Sequence, residues 1–538
     1  MGKFNNPKMS AAPTVAKSPM TTTATTRTAQ GGIGYTRDTR SELLMLAVSN
    51  MVGEGTFYET AGNRDNRFRD LVRAVAVTDP AWMVGFIPWL RTGAKMRSAS
   101  IVAAAESVKA RLDASLHGTN RQFIDAACQR PDEPGEFLAY WTSHYGRRLP
   151  MPVKRGVADA VRRMYNGKAF IKYDSDTAAY RFADVLELVH ASADPEKPWQ
   201  GDLFRYMIDK RHNRDNIRVP EGNNTIAAYA HLMAQDKTTR RQILLDEAGP
   251  SRLAAAGMTW EALAGWLQGP MDKAAWEAII PSMQPMALVR NLRNFDQAGV
   301  SDTVADAICA RLADPVEIER SRMFPYQLFS AYKAAPSLRW GHALDKALGH
   351  ACANIPALDG RTLVLVDTSG SMQRPVSDRS QVQMVDVGAL FGVALALRGA
   401  SVDLFGWADS VFPHNVIKGG SVLKQTEAFN AKVGSVGHGT DMVGAIRATY
   451  RQGVHTRVVV VSDMQVCGSG GYYDTGASKA VPDHVPLFGI NMGGYKATAV
   501  DLSKPNRFET GGFSDKMFTV MDLLSRGKDA GWPWDTGL

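Results

Sequence analysis

From Ser41 to Leu348 the apolar residues recur at helical spacing, in short stretches parted by turns that carry Gly, Pro, Asn or Asp. Ser41-Glu42-Leu43-Leu44-Met45-Leu46-Ala47-Val48 opens on an N-cap residue and continues in helix formers. Trp82 to Leu90 reads as a second short helix, ended or kinked near Pro88, because proline lacks an amide donor and crowds the preceding turn. Ile101 to Leu112, Phe123 to Ala127, Phe137 to Trp141, Val153 to Met164 and Phe182 to His190 continue the series. Leu203 to Ile208, Ile226 to Met233, Trp260 to Leu267, Trp276 to Ile280, Met286 to Leu292 and Val304 to Leu312 extend it. No strand pattern interrupts them. Many short helices in succession predict an α-solenoid of stacked helix pairs; an irregular helical domain is the alternative.

Beyond residue 356 the pattern changes. Leu363-Val364-Leu365-Val366 and Val458-Val459-Val460-Val461 are uninterrupted apolar runs, as expected of parallel strands covered on both faces. Gln381 to Leu397 is a strongly apolar helix. Val402 to Trp407 and Leu487 to Met492 read as further strands, Pro413-His414 as a loop, and Phe518 to Leu524 as a closing helix. Strands alternating with helices predict a doubly wound α/β sheet. The chain is therefore expected to be multidomain: an arm over 1–32, a helical-repeat domain over 33–355 and an α/β domain over 356–538.

The arm is rich in Thr, Ala, Ser, Pro and Lys, and no acid precedes Asp38. It lacks the apolar core of a secretory signal, and Asn6 stands where myristoylation needs Ser or Thr. A disordered basic arm is the expectation, with a transit peptide as the alternative. At 538 residues the chain exceeds one core, and no run reaches the roughly 18 apolar residues of a membrane span. The net charge of +8 is compatible with a polyanionic partner. Cys128, Cys309, Cys352 and Cys467 lie far apart without metal-ligand spacing, so a reduced, cytoplasmic protein is expected.

The chemistry concentrates at Asp367-Thr368-Ser369-Gly370-Ser371, where the first apolar run ends. Ligands of open α/β sheets bind at such strand ends. Asp367, Ser369 and Ser371 offer hard oxygen atoms that suit Mg²⁺, with Mn²⁺ or Ca²⁺ possible. Thr440, in Gly439-Thr440-Asp441, and Asp463, after the second run, can complete the shell. Order and context resemble a von Willebrand factor type A (vWA) domain and its metal-ion-dependent adhesion site, which implies an ion with one position open to a partner's carboxylate or phosphate. The commoner Asp-Gly of such domains is Asp463-Met464 here, and a Gly-rich insertion from Gly468 to Gly476 rims the site. Three other readings compete. An aspartic protease would need a second Asp-Thr-Gly, and Asp535-Thr536-Gly537 lacks a flanking strand. An aspartyl-phosphate enzyme would need an acid where Ser369 stands. A metal-free domain could keep the motif for loop hydrogen bonds.

A second concentration is basic. Arg147, Arg148, Lys154, Arg155, Arg162, Arg163, Lys168, Lys172 and Arg181 are opposed only by Asp159, Asp174 and Asp176. Val153, Val157, Val161 and Met164 form an apolar stripe, which leaves a cationic outer face on that helix. Interleaved tyrosines and Phe170 can stack on unpaired bases, and His190 can stack on or bond RNA. Arg205, Lys210, Arg211, His212, Arg214 and Arg218 form a further patch. A solvated charged face is the plainer reading of both.

Several stretches together resemble the Ro autoantigen, or TROVE-domain, ribonucleoproteins, especially the bacterial ones. They are Gly55-Thr56-Phe57-Tyr58, Lys154-Arg155-Gly156-Val157-Ala158-Asp159, Asp184-Val185-Leu186-Glu187-Leu188-Val189-His190, Met286-Ala287-Leu288-Val289-Arg290-Asn291-Leu292, and Pro325 with Tyr332-Lys333. Phe182 departs from the family, whose vertebrate members have His there. The resemblance implies HEAT-like repeats forming a ring, closed or nearly closed by the vWA domain. It implies Y-type noncoding RNA on the outer basic surface and single-stranded 3′ ends of misfolded RNA or maturing rRNA in a central hole. It further implies RNA quality control, rRNA maturation and stress response with polynucleotide phosphorylase or another 3′–5′ exoribonuclease. No membrane partner and no catalysis are expected. A vWA interaction module partnering an AAA-type ATPase is the alternative, and a metal-dependent nuclease would want more clustered carboxylates than Asp367, Asp441 and Asp463.

Overall fold

A computed structural model describes residues 15–49, 51–335, 337–353, 355–468, 476–515 and 517–535. Most of the Gly-rich insertion between Gly468 and Gly476, the first 14 residues of the arm and Thr536-Gly537 lie outside the described residues. The chain divides into two compact units. One combines the chain up to Leu71 with Phe324–Tyr326 and Ala351–Leu538; the other consists of Val72–Met323 and Gln327–His350. No helix among the described residues is long and apolar enough to cross a membrane.

The first unit contains β1 (Thr22–Arg27), β2 (Ile33–Arg37), β3 (Arg361–Asp367), β4 (Ser401–Trp407), β5 (Val411–His414), β6 (Arg457–Ser462), β7 (Leu487–Asn491), β8 (Ala497–Thr498) and β9 (Arg507–Gly511). Six of them form one sheet in the order β5-β4-β3-β6-β7-β9, parallel except for β5. The apolar runs of β3 and β6 occupy its centre, fully buried. The helix Met384–Arg398 packs on this sheet, and Gly392 permits the approach: a Cβ there would lie 2.5 Å from Val366 Cγ2. Pro413 falls in β5, not in a loop; an edge strand tolerates a residue with no amide to donate.

The N-terminal expectation needs correction. Residues 22–27, placed in a disordered arm, form β1, which pairs antiparallel with β2, which in turn pairs with β8. The stretch is polar, but its threonines are β-branched and its backbone finds partners. The boundary expected at residue 33 also moves, since the chain up to Leu71 belongs to the α/β unit. Arg37 donates from Nε and Nη2 to Glu509 at 2.6 Å each, with both side chains fully buried. Arg64 and Arg67 each donate to a backbone carbonyl, of Gly493 and Gly494, at 2.9 Å.

Among its described residues the second unit is built of helices, with no strand. Helix Arg97–Asp113 packs on Pro80–Thr92, Asn120–Ala127 and Glu133–Tyr145. Asn120–Ala127 packs on Met151–Met164, which packs on Phe182–Val189, which packs on Pro198–Arg211. Each helix thus buries its stripe against near neighbours in sequence, the arrangement of an α-solenoid. Helix Pro80–Thr92 runs through Pro88 instead of ending there. The lost bond would have gone to the carbonyl of Val84, a residue 48% exposed, where water can replace it.

Candidate functional site

β3 and β6 lie side by side in parallel, with Val366 opposite Val461, so their ends carry Asp367 and Ser462-Asp463 to one place. The turn Gly370–Gln373 follows, holding Ser371. Ser369 N donates to Asp367 Oδ1 at 2.8 Å, and Ser462 Oγ donates to Asp367 Oδ2 at 2.6 Å. The hydroxyls of Ser369 and Ser371 are 3.2 Å apart. Gly370 N donates to His438 O at 3.0 Å and Cys467 N to Thr440 O at 3.1 Å, which draws the 438–440 loop to the same strand ends. Asp441 is occupied elsewhere: as N-cap of the helix Met442–Thr449 it accepts from Gly444 N at 2.8 Å.

The five residues singled out in the sequence, Asp367, Ser369, Ser371, Thr440 and Asp463, are all buried. Burial pushes the Asp367 carboxyl above the usual carboxylate range. Burial and, second, the charge of Asp367 do the same to Asp463. Asp463 Oδ2 and Thr440 Oγ1 are buried without a hydrogen-bond partner in the structure. Two neighbouring buried carboxyls and orphaned oxygens are costly unless a cation or protons compensate them. This set of two carboxylates and three hydroxyls fits a hard divalent cation.

Residues beyond those five also reach the site. Ser462 bonds Asp367 directly. The stretch Gly55–Tyr58 lies against it, with Thr56 O accepting from Arg374 Nη1 and the Tyr58 ring edge-on to Tyr495 at 5.3 Å. A cavity of about 10 Å³, enough for about one water-sized species, is lined by Thr56, Phe57, Ser371, Asp463 and Tyr495 among others. Gly-Thr-Phe-Tyr was visible in the sequence only as a family-like motif; nothing in its pattern indicated this neighbour.

In the helical unit the stripe Val153, Val157, Val161 and Met164 is buried, and the opposite face of that helix is accessible. The nine expected RNA contacts divide there. Arg147, Arg148, Arg155, Lys168 and Lys172 are exposed and Lys154 is half-buried, all six without an ion-pair partner among the described residues. Arg162 donates to Ser192 O and Oγ at 2.9 and 2.8 Å. Arg163 binds Asp125 Oδ1 at 2.7 Å and the Cys128 carbonyl at 2.7 Å. Arg162 is tied to the loop after the helix Phe182–Val189 and Arg163 to the end of the helix Asn120–Ala127, contrary to a uniformly free row. His190 is exposed and ends its helix with φ +54°. Phe182 is buried and stacked on Tyr165 at 4.0 Å, so it is a core side chain. The further patch is largely neutralised: Arg211 pairs with Asp184, His212 with Glu187, Arg214 with Asp209 and Arg218 with Glu221. Lys210 sits among the rings of Phe170, Tyr206 and Tyr229 at 5.6, 5.8 and 5.8 Å.

With this geometry in hand, known proteins give three likenesses. The TROVE domain model matches residues 252–360. The RNA-binding protein RO60 of Caenorhabditis elegans is 32% identical over 121 residues, covering 20% of this chain and 19% of the relative. The chain thus aligns with about a fifth of that relative's length. The crystal structure of the Deinococcus radiodurans RO (RSR) protein matches with a TM-score of 0.59 at 19% identity, covering 91% of this chain and all of that one.

Proposed function

We propose that this chain, whose residues 252–360 match the TROVE domain model and whose fold is similar to that of the Deinococcus radiodurans RO (RSR) protein, is a noncatalytic RNA-binding scaffold. The observation that carries this reading is the group of six unpaired cations on and around the helix Met151–Met164. Cations that meet no acid among the described residues are available to phosphates, and such contacts bind backbone without reading sequence. In this reading Arg147, Arg148, Lys154, Arg155, Lys168, Lys172 and His190 meet a Y-type RNA. Unpaired 3′ ends of misfolded RNA or maturing rRNA form the second class of ligand. A 3′–5′ exoribonuclease such as polynucleotide phosphorylase would act on what the scaffold presents, in the cytoplasm and under stress.

The oxygen cluster is the second part of the proposal. Asp367, Ser369, Ser371, Thr440 and Asp463 would hold a divalent cation, most simply Mg²⁺. A cation there supplies positive charge for docking a carboxylate or phosphate of a partner. The protein's residues would bind and orient it, and among the described residues no side chain beside it is placed as nucleophile or general base.

The test is fluorescence anisotropy of the purified full chain with a structured small RNA and with an unstructured oligomer, across a salt series. Binding of both at low salt, weakening steeply as salt rises, is expected. Absence of affinity at low salt overturns the reading.

A further inference from the structure

Beside the basic helix, the helical unit contains a cavity of about 290 Å³, near the small end for small-molecule sites. Its walls include Tyr165, Tyr173, Tyr180, Phe182 and the carboxylates of Asp132 and Glu136. Tyr165 is buried, stacks on Phe182, and has a hydroxyl with no hydrogen-bond partner in the structure. A buried hydroxyl left unpaired is costly, so a group entering beside Tyr165 that came to bond it would be favoured.

The walls are held from outside. Tyr180 Oη donates to Thr142 Oγ1 at 3.1 Å, and Phe182 N donates to Asp174 Oδ1 at 2.8 Å. Gly135 lets the loop come close: a Cβ there would lie 2.8 Å from Tyr180 O. The exposed residues Ser175, Thr177, Ala178 and Ala179 line its open side, the mouth. Arg130 and Lys172 flank the ring of Tyr173 at 5.6 and 5.1 Å.

The charges inside are balanced. Asp132 is bound by Arg97 and Arg130, and Glu136 by Arg97. An ionised carboxylate has about four acceptor sites, so these partners leave acceptors free. Flat aromatic walls, spare acceptors and one orphan hydroxyl suit a flat, neutral heterocycle that carries N–H donors. Lys172 beside the mouth suits the phosphate attached to it.

We propose that this cavity receives one unpaired nucleobase bearing an exocyclic amino group, turned out of an RNA strand whose backbone lies on the neighbouring cations. The inference rests on the RNA-binding reading and names a subsite within it. Stacking on the tyrosines supplies affinity, and the carboxylates select amino-bearing bases over uracil.

The test uses the full chain and an unstructured RNA oligomer with 2-aminopurine at one position and a label at one end. Anisotropy of the label reports binding, and emission of the 2-aminopurine reports stacking of that base. Wild-type protein is expected to bind and to change the emission. Ala139→Phe, which fills the cavity, is expected to lose the emission change and bind about tenfold more weakly with the same salt slope. Tyr165→Phe, which removes only the hydroxyl, is expected to bind about fivefold more weakly. An all-uracil oligomer should lose less affinity on Ala139→Phe than one with amino-bearing bases. Binding by anisotropy with no emission change, or wild-type emission and affinity in both variants, overturns the cavity alone. An absence of binding by anisotropy overturns the RNA reading with it.

Discussion

Salt dependence separates the cations that are free from those that are occupied. Each phosphate neutralised on a single strand contributes about 0.7 to the slope of log affinity against log salt. The six unpaired cations therefore correspond to a slope of about −4 if all reach phosphates. Replacing Arg147, Arg148, Lys154 and Arg155 with Ala should bring it to about −1.5 and lower affinity at least about a hundredfold at low salt. Replacing Arg162 and Arg163 with Ala is the control of equal chemistry. Arg162 holds Ser192, and Arg163 holds Asp125 and the Cys128 carbonyl. Their loss should cost about 1–2 kcal/mol of stability, given their partial exposure, and change the slope by less than about one. Anisotropy from about 50 to 200 mM salt gives the slopes, and denaturant unfolding gives the stabilities. If the Arg162/Arg163 variant flattens the slope as much as the other, internal bonding does not decide which cations meet RNA, and the reasoning is wrong.

Three further predictions concern the α/β unit. Glu509 accepts from Arg37, Asn491 and Thr498, so Glu509→Ala strands a buried guanidinium and should cost about 3–5 kcal/mol in chemical denaturation; a loss under about 1 kcal/mol would show the N-terminal strands contribute little. Mg²⁺ at about a hundred times its Kd should stabilise the chain by about 2.7 kcal/mol, raising Tm; Asp367→Ala should abolish that shift and leave RNA affinity unchanged, whereas an unchanged shift would exclude Asp367 as a ligand. Arg361 and then His455 hold the Asp403 carboxyl well below its ordinary value. Its contribution is full above the unfolded-state pKa of about 3.9 and is lost as pH falls through the lower folded value. Asp403→Asn should therefore cost about 1 kcal/mol at neutral pH, with the difference from wild type vanishing in strong acid; a constant difference across pH denies the ion pair.

The apolar runs of β3 and β6 were legible because strands covered on both faces are continuously apolar, and the polar atoms at their ends then fall together. The helical series was legible because each helix buries a stripe against close neighbours in sequence. β1 was not, since Thr22–Arg27 carries no apolar alternation and its sheet is completed by residues 497–498, far along the chain. Pro88 misled because the exposure of Val84, which makes the missing bond tolerable, is a tertiary property. The valine stripe told which face of Met151–Met164 points outward, but not that Arg162 and Arg163 meet residues thirty or more positions away in opposite directions. Likewise, Gly55–Tyr58 reaches the carboxylates through folding alone.

The most direct measurement is ultraviolet crosslinking of bound RNA to the purified full chain, with the crosslinked peptides identified by mass spectrometry. The account predicts crosslinks concentrated between Arg147 and His190, including Tyr173 or Tyr180. Crosslinks confined to residues 351–538, or none in a chain that binds RNA, would contradict it.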